Sequence, residues 1–460
     1  MAEISPARRA AFRILLAVER GHAHADDLLR GEKINALSSA DRNLTTALVL
    51  GVLRWQIALD RQIKSLLKKP GAKLEPEVLI ALRLGAFQLL SLDRIPSHAA
   101  IGESVELVKQ AGHRFASGMV NAVLRKMARA AEDTETLDAA DSNPSVESAP
   151  AVAYPTWMVE RWAANYGEEA ACAICRHGQT QPALSVRIED PEVETELVQS
   201  GIELAPGELL SAARIVLSGD VTATAAFREG RARIQDEGSQ LIAEVAAGAG
   251  KDLNREVRRI VDACAAPGGK TLILAERYPE AHIVACDASP QRLEQLRTRL
   301  AAYSGRVECK LADAAKLEED SVFDLALVDV PCSGTGTLGR NPEIRHRLRA
   351  EDLTRHAERQ RAIAHASIRA IRPGGRVVYS TCSLEPEENE QMVAEILAQS
   401  SGVRQIPLEG AIESLSNDGI LAPHGSELLR ACLTPEGALR LLPGALHTDG
   451  FFIALMEKIA

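Results

Sequence analysis

The chain has 460 residues, which is too long for one ordinary domain, and its 46% apolar residues are enough to bury sizeable cores. No apolar run reaches the ~18 residues that a membrane-spanning helix needs. The first residues do not read as an export signal either, so we expect a cytoplasmic protein without a membrane partner. For such a chain, the eight cysteines do not predict a disulfide framework.

The net charge of −10 conceals an uneven distribution. Residues 1–130 carry 20 Lys and Arg against 12 Asp and Glu, a net +8, whereas the remainder of the chain is acidic. A basic block on an acidic chain is typical of a nucleic-acid-binding surface. An ordinary solvated helical surface gives the same count, so charge alone leaves both interpretations open.

The N-terminal residues 1–130 are predicted to form an all-α domain. The stretch 74–92 is almost continuously apolar, which predicts a helix buried on all sides. The apolar residues between 119 and 127 recur at helical spacing. Residues 131–150 contain six acidic residues, two prolines and no Lys or Arg, so we predict a flexible acidic linker there.

The pattern changes twice after the linker. Residues 151–235 predict a small α/β domain, with a helix that begins near Pro155 and strands over 184–188 and 213–217. Residues 236–460 alternate strands and helices, which predicts a doubly wound, mostly parallel sheet of the Rossmann type. Its strands are predicted over 257–263, 283–286, 307–311, 323–330 and 376–380, with a late antiparallel strand over 451–456.

Two cysteines of the middle region form a CxxC, Cys172 and Cys175. A structural zinc site needs four ligands, and no second cysteine pair has matching spacing, although His177 is close. We therefore expect no metal, and the sequence does not decide what role these two cysteines have.

A glycine-rich turn at 262–271, Asp-Ala-Cys-Ala-Ala-Pro-Gly-Gly-Lys-Thr, follows the first strand of the C-terminal region. Glycines let the backbone approach a ligand closely, and the following helix supplies N–H donors. The dinucleotide fingerprint G-x-G-x-x-G is absent. The end of a phosphate-binding P-loop is present in Gly269, Lys270 and Thr271, but Cys264 replaces its first glycine. The turn leaves an NTPase and an S-adenosylmethionine site open.

Two aspartates follow the next two strands. Asp287 ends the second strand and is suitably spaced to bind ribose hydroxyls, and Asp313, after the third, is suitably placed for an adenine edge. A single aspartate in such a position is more often a helix cap. Both together, after this turn, favour the cofactor interpretation.

The fourth and fifth strands end in a cysteine each. Asp329-Val-Pro-Cys332 follows the fourth strand and Ser380-Thr-Cys382 the fifth, so both thiols are predicted at the ligand-binding edge. Methylation of cytosine carbon 5 gives a reason for such a pair, because a thiolate adds to carbon 6 and a second group assists its release. The nucleophile must be a thiolate near positive charge. Asp329 is predicted to hydrogen-bond the cytosine edge. The residues alone do not say which cysteine attacks.

Three segments resemble the RNA cytosine-C5 methyltransferases of the Sun/Fmu type: DACAAPGGKT at 262–271, DVPCSGTGTLGRNPEIR at 329–345 and YSTCSLEPEENE at 379–390. The resemblance implies Cys382 as nucleophile and Cys332 as the residue that promotes product release. It implies a cofactor site for S-adenosylmethionine formed by Cys264, Ala265, Ala266, Pro267, Gly268, Gly269, Lys270, Asp287, Asp313 and Asp329.

The N-terminal region resembles the NusB-like RNA-binding domain over 40–55, 82–107 and 118–126. Together with the methyltransferase motifs it resembles the bacterial ribosomal RNA small-subunit methyltransferase B group. That resemblance implies 16S rRNA as the substrate, and we expect no DNA partner and a monomer. Glu189, where members often have Asn, and His346, where many have Trp, depart from the pattern and leave the RNA contacts open there. An ATPase and a non-catalytic RNA-binding factor stay as alternatives.

Overall fold

The computed structural model describes residues 4–21, 24–69, 71–134, 151–251, 253 and 255–459. The chain divides into two compact units, Met1–Gln181 together with Leu338–Arg347, and Pro182–Thr337 together with Leu348–Ala460. Most of the predicted acidic linker, residues 135–150, lies outside the described residues. The predicted domain limits at 130, 150 and 235 stay predictions.

The first unit is helical over the residues that the structure describes. Its core is the predicted buried helix, which packs against the fourth, sixth and seventh helices and has Leu82 and Leu84 fully buried. The helices are α1 (Pro6–Glu19), α2 (Ala25–Leu29), α3 (Glu32–Asn35), α4 (Ser39–Leu66), α5 (Pro76–Ser91), α6 (Ser97–Gln110), α7 (Ser117–Thr134), α8 (Thr156–Tyr166) and α9 (Glu168–Gln179).

The second unit contains two sheets and most of the remaining helices. The helices are α10 (Pro191–Gln199), α11 (Ala225–Arg228), α12 (Glu237–Lys251), α13 (Gly269–Arg277), α14 (Pro290–Arg299), α15 (Ile344–Arg347, in the first unit), α16 (Asp352–Ala370), α17 (Glu390–Gln399), α18 (Glu409–Asn417) and α19 (Gly425–Ala431). The strands are β1 (Leu184–Arg187), β2 (Glu203–Pro206), β3 (Ala213–Ser218), β4 (Arg233–Ile234), β5 (Arg259–Asp262), β6 (His282–Asp287), β7 (Val307–Leu311), β8 (Phe323–Asp329), β9 (Ile371–Thr381), β10 (Val403–Ile406), β11 (Leu439–Leu441) and β12 (Phe451–Lys458).

The larger sheet has the strand order β10-β12-β9-β8-β5-β6-β7, with β11 paired to β12. The pairs from β9 through β7 are parallel, and β12 runs antiparallel between β9 and β10. From β5 the chain continues to β6 on one side and later to β8 on the other, so the topological switch lies between β5 and β8. Ligands of open α/β sheets bind at the carboxyl edge at this switch.

The smaller sheet is antiparallel, with the order β2-β3-β1-β4. The predicted fold class is confirmed in all three parts: an all-α region, a small α/β region and a Rossmann-type sheet. Most predicted strand bounds differ from the observed ones by one or two residues, and the largest difference is at β9, which begins at Ile371 instead of 376. Its Pro-Gly-Gly stretch, which predicts a turn, is accommodated as a register shift against β8 between Phe323 and Leu325. No helix in the described ranges is long and apolar enough to cross a membrane.

Candidate active site

The glycine-rich turn joins β5 to α13 at the carboxyl edge of the sheet. Gly268 immediately precedes α13 with φ +97°, a conformation that favours glycine. A Cβ atom on Gly268 would lie 2.8 Å from the Leu296 side chain. The first-turn N–H groups of α13 have no acceptor within the helix. The positive φ and the contact with Leu296 therefore require glycine at position 268, and the N-terminus of α13 begins directly after it.

The polar side chains of this turn contact carboxylates of the protein, which differs from the arrangement in a phosphate-binding loop. The Lys270 ammonium lies 2.7 Å from an Asp329 carboxylate oxygen, and the Thr271 hydroxyl donates to Asp262 at 2.7 Å. In a P-loop these two side chain types face phosphate oxygens and magnesium. Burial raises the pKa of Asp262 to about 7, although the hydrogen bond from Thr271 acts to lower it. With these two side chains engaged by carboxylates, the turn fits a nucleoside ligand better than it fits a nucleoside triphosphate.

Asp287 and Asp313 follow β6 and β7 as predicted, and both make cap-like contacts. The buried Asp287 carboxylate accepts from Ser289 N at 2.7 Å and lies 3.1 Å from an Arg292 nitrogen. The exposed Asp313 accepts from Ala315 N at 3.1 Å. These bonds orient both carboxylates at the carboxyl edge, while their predicted roles toward ribose and adenine stay predictions.

Asp329 links the cofactor turn to the strand that carries the second cysteine. One carboxylate oxygen faces Lys270, and the other accepts from the Ser380 hydroxyl at 2.8 Å. Burial opposes the charge on Lys270, but the Asp329 carboxylate outweighs it and raises the pKa of Lys270. Cys382 also interacts electrostatically with this ammonium. A thiolate is favoured by nearby positive charge, and Lys270 is a cation of this kind close to Cys382.

The two cysteines predicted at neighbouring strand ends lie in contact. Their Sγ atoms are 3.3 Å apart, and the Gly336 N–H donates to the Cys382 carbonyl at 2.9 Å, which ties the two loops together. The thiol contact with Cys382 and burial raise the pKa of Cys332 well above that of a free cysteine. The raised pKa favours the protonated thiol at Cys332.

Three polar residues beside the cysteines were not selected from the sequence. Ser333 and Ser383 directly follow Cys332 and Cys382, and both hydroxyls bond to the carboxylate of Glu388. The serine that follows each cysteine is the one signal in the sequence that pairs these positions. Glu385 and Glu388 of the acidic run 385–390 are both buried, and nothing in the sequence indicates that Glu388 is the one whose carboxylate accepts from both serines.

The CxxC cysteines, Cys172 and Cys175, lie on α9 in the first unit. Cys175 is buried, and burial raises its pKa to about 12, which is the property of a packed, inert thiol. Within the described ranges, no group of three or more His, Cys, Asp or Glu side chains is arranged to hold a metal.

Comparisons with known proteins match three family models in chain order. The NusB family matches residues 5–129, a ferredoxin-like domain of RsmF/B-like methyltransferases matches 154–222, and the 16S rRNA methyltransferase RsmB/F family matches 252–457. The probable ribosomal RNA small subunit methyltransferase B of Bacillus subtilis is 32% identical, with 98% of both chains covered. The chain belongs to the RsmB/F methyltransferase family. The ribosomal RNA small subunit methyltransferase B of Pseudomonas putida is 33% identical, again with 98% of both chains covered.

Solved structures agree with the fold of this RsmB/F chain. The crystal structure of PH0851 has a TM-score of 0.75 at 24% identity and covers 99% of this chain and all of its own. NSun6 from Pyrococcus horikoshii with SFG has a TM-score of 0.54 at 19% identity, and covers 66% of this chain and 98% of its own. The cofactor of the RsmB/F family is S-adenosylmethionine, as predicted. This cofactor disfavours the alternative that the glycine-rich turn belongs to an ATPase.

Glu189 and His346, where the sequence departs from the expected family pattern, both contact other residues of this RsmB/F chain. Glu189 contacts Arg187 and lies 3.3 Å from an Arg277 nitrogen. The His346 imidazole bonds to the Leu53 carbonyl at 2.7 Å, and since a carbonyl only accepts, Nε2 carries the proton. Burial lowers the pKa of His346 to about 4.

Proposed function

We propose that this chain methylates carbon 5 of a cytosine in 16S rRNA, with Cys382 as covalent nucleophile and Cys332 as the residue that assists its release. The contact of 3.3 Å between the two sulfur atoms carries the proposal. This contact supports a reaction in which two thiols act on the same cytosine ring. Ribosomal RNA in the names of the full-length relatives supports the substrate class.

The reaction follows from the electronics of cytosine. Carbon 5 is a poor nucleophile until the Cys382 thiolate forms a bond to carbon 6, which moves electron density to carbon 5. S-adenosylmethionine supplies the methyl group that carbon 5 then binds. A base then accepts the carbon 5 proton, the electron pair of that C–H bond re-forms the 5,6 double bond, and the pair of the sulfur–carbon 6 bond leaves with sulfur as the Cys382 thiolate. The base must leave its stack to enter such a pocket.

The charges around the pair support this division of roles. The raised pKa of Cys332 keeps that residue a thiol, while Lys270 lies where it can stabilise a thiolate at Cys382. Asp329 is suited to hydrogen-bond the cytosine edge from its position between Lys270 and Ser380. Through this carboxylate the cofactor turn and the cysteine pair belong to one site.

The cofactor site in this proposal comprises the glycine-rich turn and three strand-end aspartates. The first turn of α13 is suited to receive the cofactor through its backbone N–H donors. Asp287 and Asp313 are the candidates for the ribose and the adenine. The full set is Cys264, Ala265, Ala266, Pro267, Gly268, Gly269, Lys270, Asp287, Asp313 and Asp329.

The NusB-like region is proposed to bind the RNA through its basic surface. Its net +8 on an otherwise acidic chain supports an electrostatic contact with phosphates. An rRNA substrate favours a cytoplasmic location. We further propose that the chain acts as a monomer and does not bind DNA.

Methyl transfer from labelled S-adenosylmethionine to protein-free 16S rRNA tests the proposal with the wild type, Cys382→Ala and Cys332→Ala. We expect labelled 5-methylcytosine from the wild type and none from Cys382→Ala. Cys332→Ala should accumulate RNA covalently attached to the protein, because the adduct forms but is not released. The covalent species is read on a denaturing gel after nuclease treatment.

Two outcomes would change the proposal. If Cys332→Ala is inactive and Cys382→Ala accumulates covalently attached RNA, then Cys332 is the nucleophile and Cys382 assists its release. A wild type that labels no RNA, even with ribosomal proteins added back, would remove the substrate assignment and favour the non-catalytic RNA-binding factor.

A further inference from the structure

The side chain of Glu388 is fully buried directly beneath the cysteine pair. It ends a 3₁₀ turn, Pro386–Glu388, that follows the Cys382 loop, and it has no exposed surface. A buried carboxylate costs several kcal/mol unless hydrogen bonds compensate for lost water. The contacts that compensate for it therefore fix its position closely.

These contacts reach both cysteine loops. The Ser333 N–H donates to Glu388 at 2.9 Å, and the Ser333 hydroxyl donates to the other carboxylate oxygen. That oxygen also accepts from the Ser383 hydroxyl, which lies 3.0 Å from the Ser333 hydroxyl. One carboxylate thus bridges the residues that immediately follow the two cysteines.

A second layer fixes the carboxylate from behind. The Gln360 amide on α16 donates to Glu388 at 2.8 Å and to the Pro331 carbonyl, one residue before Cys332, at 3.1 Å. The Tyr379 hydroxyl donates to the Glu388 carbonyl at 2.7 Å. All of these side-chain donors, Ser333, Ser383 and Gln360, are neutral groups.

We propose that Glu388 is a positioning residue that holds Cys332 and Cys382 at the separation that covalent catalysis requires. The proposal rests on the proposed methyl transfer through Cys382. The two loops leave different strands, β8 and β9, and the Glu388 carboxylate joins them at the residues next to the two sulfur atoms. Misplacement of a reacting group by ~1 Å costs on the order of 100-fold in rate.

The charge of Glu388 has a second effect on the pair. It adds to the thiol contact and to burial in raising the pKa of Cys332. The other titratable groups that face this thiol are Cys382 and Tyr379. Removal of the charge should therefore lower the pH at which Cys332 becomes reactive.

The test replaces Glu388 by Gln, which keeps the size of the side chain and removes its charge. RNA that contains 5-fluorocytidine measures attack by Cys382 directly, because the fluorine prevents the loss from carbon 5 that release requires. We expect adduct formation and kcat to fall about 100-fold with KM for S-adenosylmethionine unchanged. The pH profile of Cys332 alkylation by iodoacetamide should shift to lower pH.

Glu390→Gln is the matched control, since this carboxylate lies two residues further on and pairs with Arg440 instead. It should retain wild-type rates. Ser333→Ala and Ser383→Ala each remove one hydroxyl from the bridge. They test the same proposal if Glu388→Gln does not fold. Each should slow adduct formation, and the double variant should slow it further.

The outcomes separate this proposal from the proposed function. If the wild type forms no adduct, the covalent mechanism fails first. If the wild type forms it and Glu388→Gln forms it at the same rate, Glu388 does not position the thiols. An unchanged alkylation profile, or serine variants with wild-type rates, would also overturn the proposal.

Discussion

Arg345 and His346 are adjacent basic residues that bond to carbonyl oxygens of the helical unit. The Arg345 guanidinium donates to the Arg54 and Gly178 carbonyls at 3.1 Å each and lies 4.0 Å from the centre of the Tyr154 ring. Burial lowers the pKa of Arg345, although the guanidinium keeps its charge. An imidazole in the same surroundings responds differently, since it can lose its proton.

His346 should make the helical unit sensitive to acid. Its pKa of about 4 lies below the unfolded value near 6.5, so the folded state favours the neutral ring. The stabilisation is complete above pH 6.5 and is lost as the pH falls toward 4. At pH 5 the wild type should have lost about 2 kcal/mol relative to His346→Gln, which does not titrate. Calorimetric unfolding of both proteins between pH 7.5 and 5 measures the difference.

Equal acid sensitivity of wild type and His346→Gln would contradict this account and assign acid unfolding to other groups. His113, which lies 3.5 Å from a Glu77 oxygen, provides the control. Its replacement by Gln should leave the acid response attributed to His346 in place.

The turn between β5 and α13 is an element whose backbone conformation defines its use. Gly268 combines φ +97° with a close approach to Leu296, so two independent constraints exclude a side chain. A left-handed conformation costs an alanine about 1–2 kcal/mol. The clash adds to that cost and displaces the first turn of α13.

Gly268→Ala should weaken binding of S-adenosylmethionine about tenfold, because displaced backbone donors lose about 1.4 kcal/mol of binding. Isothermal titration of the cofactor measures the change, and thermal unfolding measures the accompanying loss of stability. Gly305→Ala is the matched control, since a Cβ atom there meets no atom within 4 Å. Unchanged affinity in a destabilised Gly268→Ala would mean that the turn has only a structural role.

Sequence periodicity predicted the elements well and their side-chain partners poorly. The strand ends at Asp262, Asp287 and Asp329 follow from alternation and from the rule for parallel sheets. The bridge at Glu388 does not, because helical and strand periods do not reveal which carboxylate of an acidic run accepts hydrogen bonds from the two serines. The pairing of Lys270 with Asp329 joins residues 59 positions apart, and only tertiary structure brings them together.

The helical unit is not contiguous in the chain, and this affects how its function can be tested. Residues 338–347 belong to it, and Arg54 donates to the Gly339 carbonyl at 2.7 Å. The Arg54 carbonyl in turn accepts from Arg345. Deletion of residues 1–130 would remove these partners and leave a buried guanidinium without them. Exposed charges therefore give a cleaner test than truncation.

Helix α7 presents three exposed cations, Arg125, Lys126 and Arg129, for such a test. If they neutralise RNA phosphates, replacement of all three by Gln should reduce the slope of log affinity against log salt by about 2. The control replaces three exposed, ion-paired arginines of the second unit, Arg258, Arg404 and Arg430, and changes the net charge equally. Filter binding of 16S rRNA at several salt concentrations distinguishes the two sets. A local contact on α7 changes the slope only in the first set, whereas equal slopes in both would show that net charge, and not this surface, governs RNA affinity.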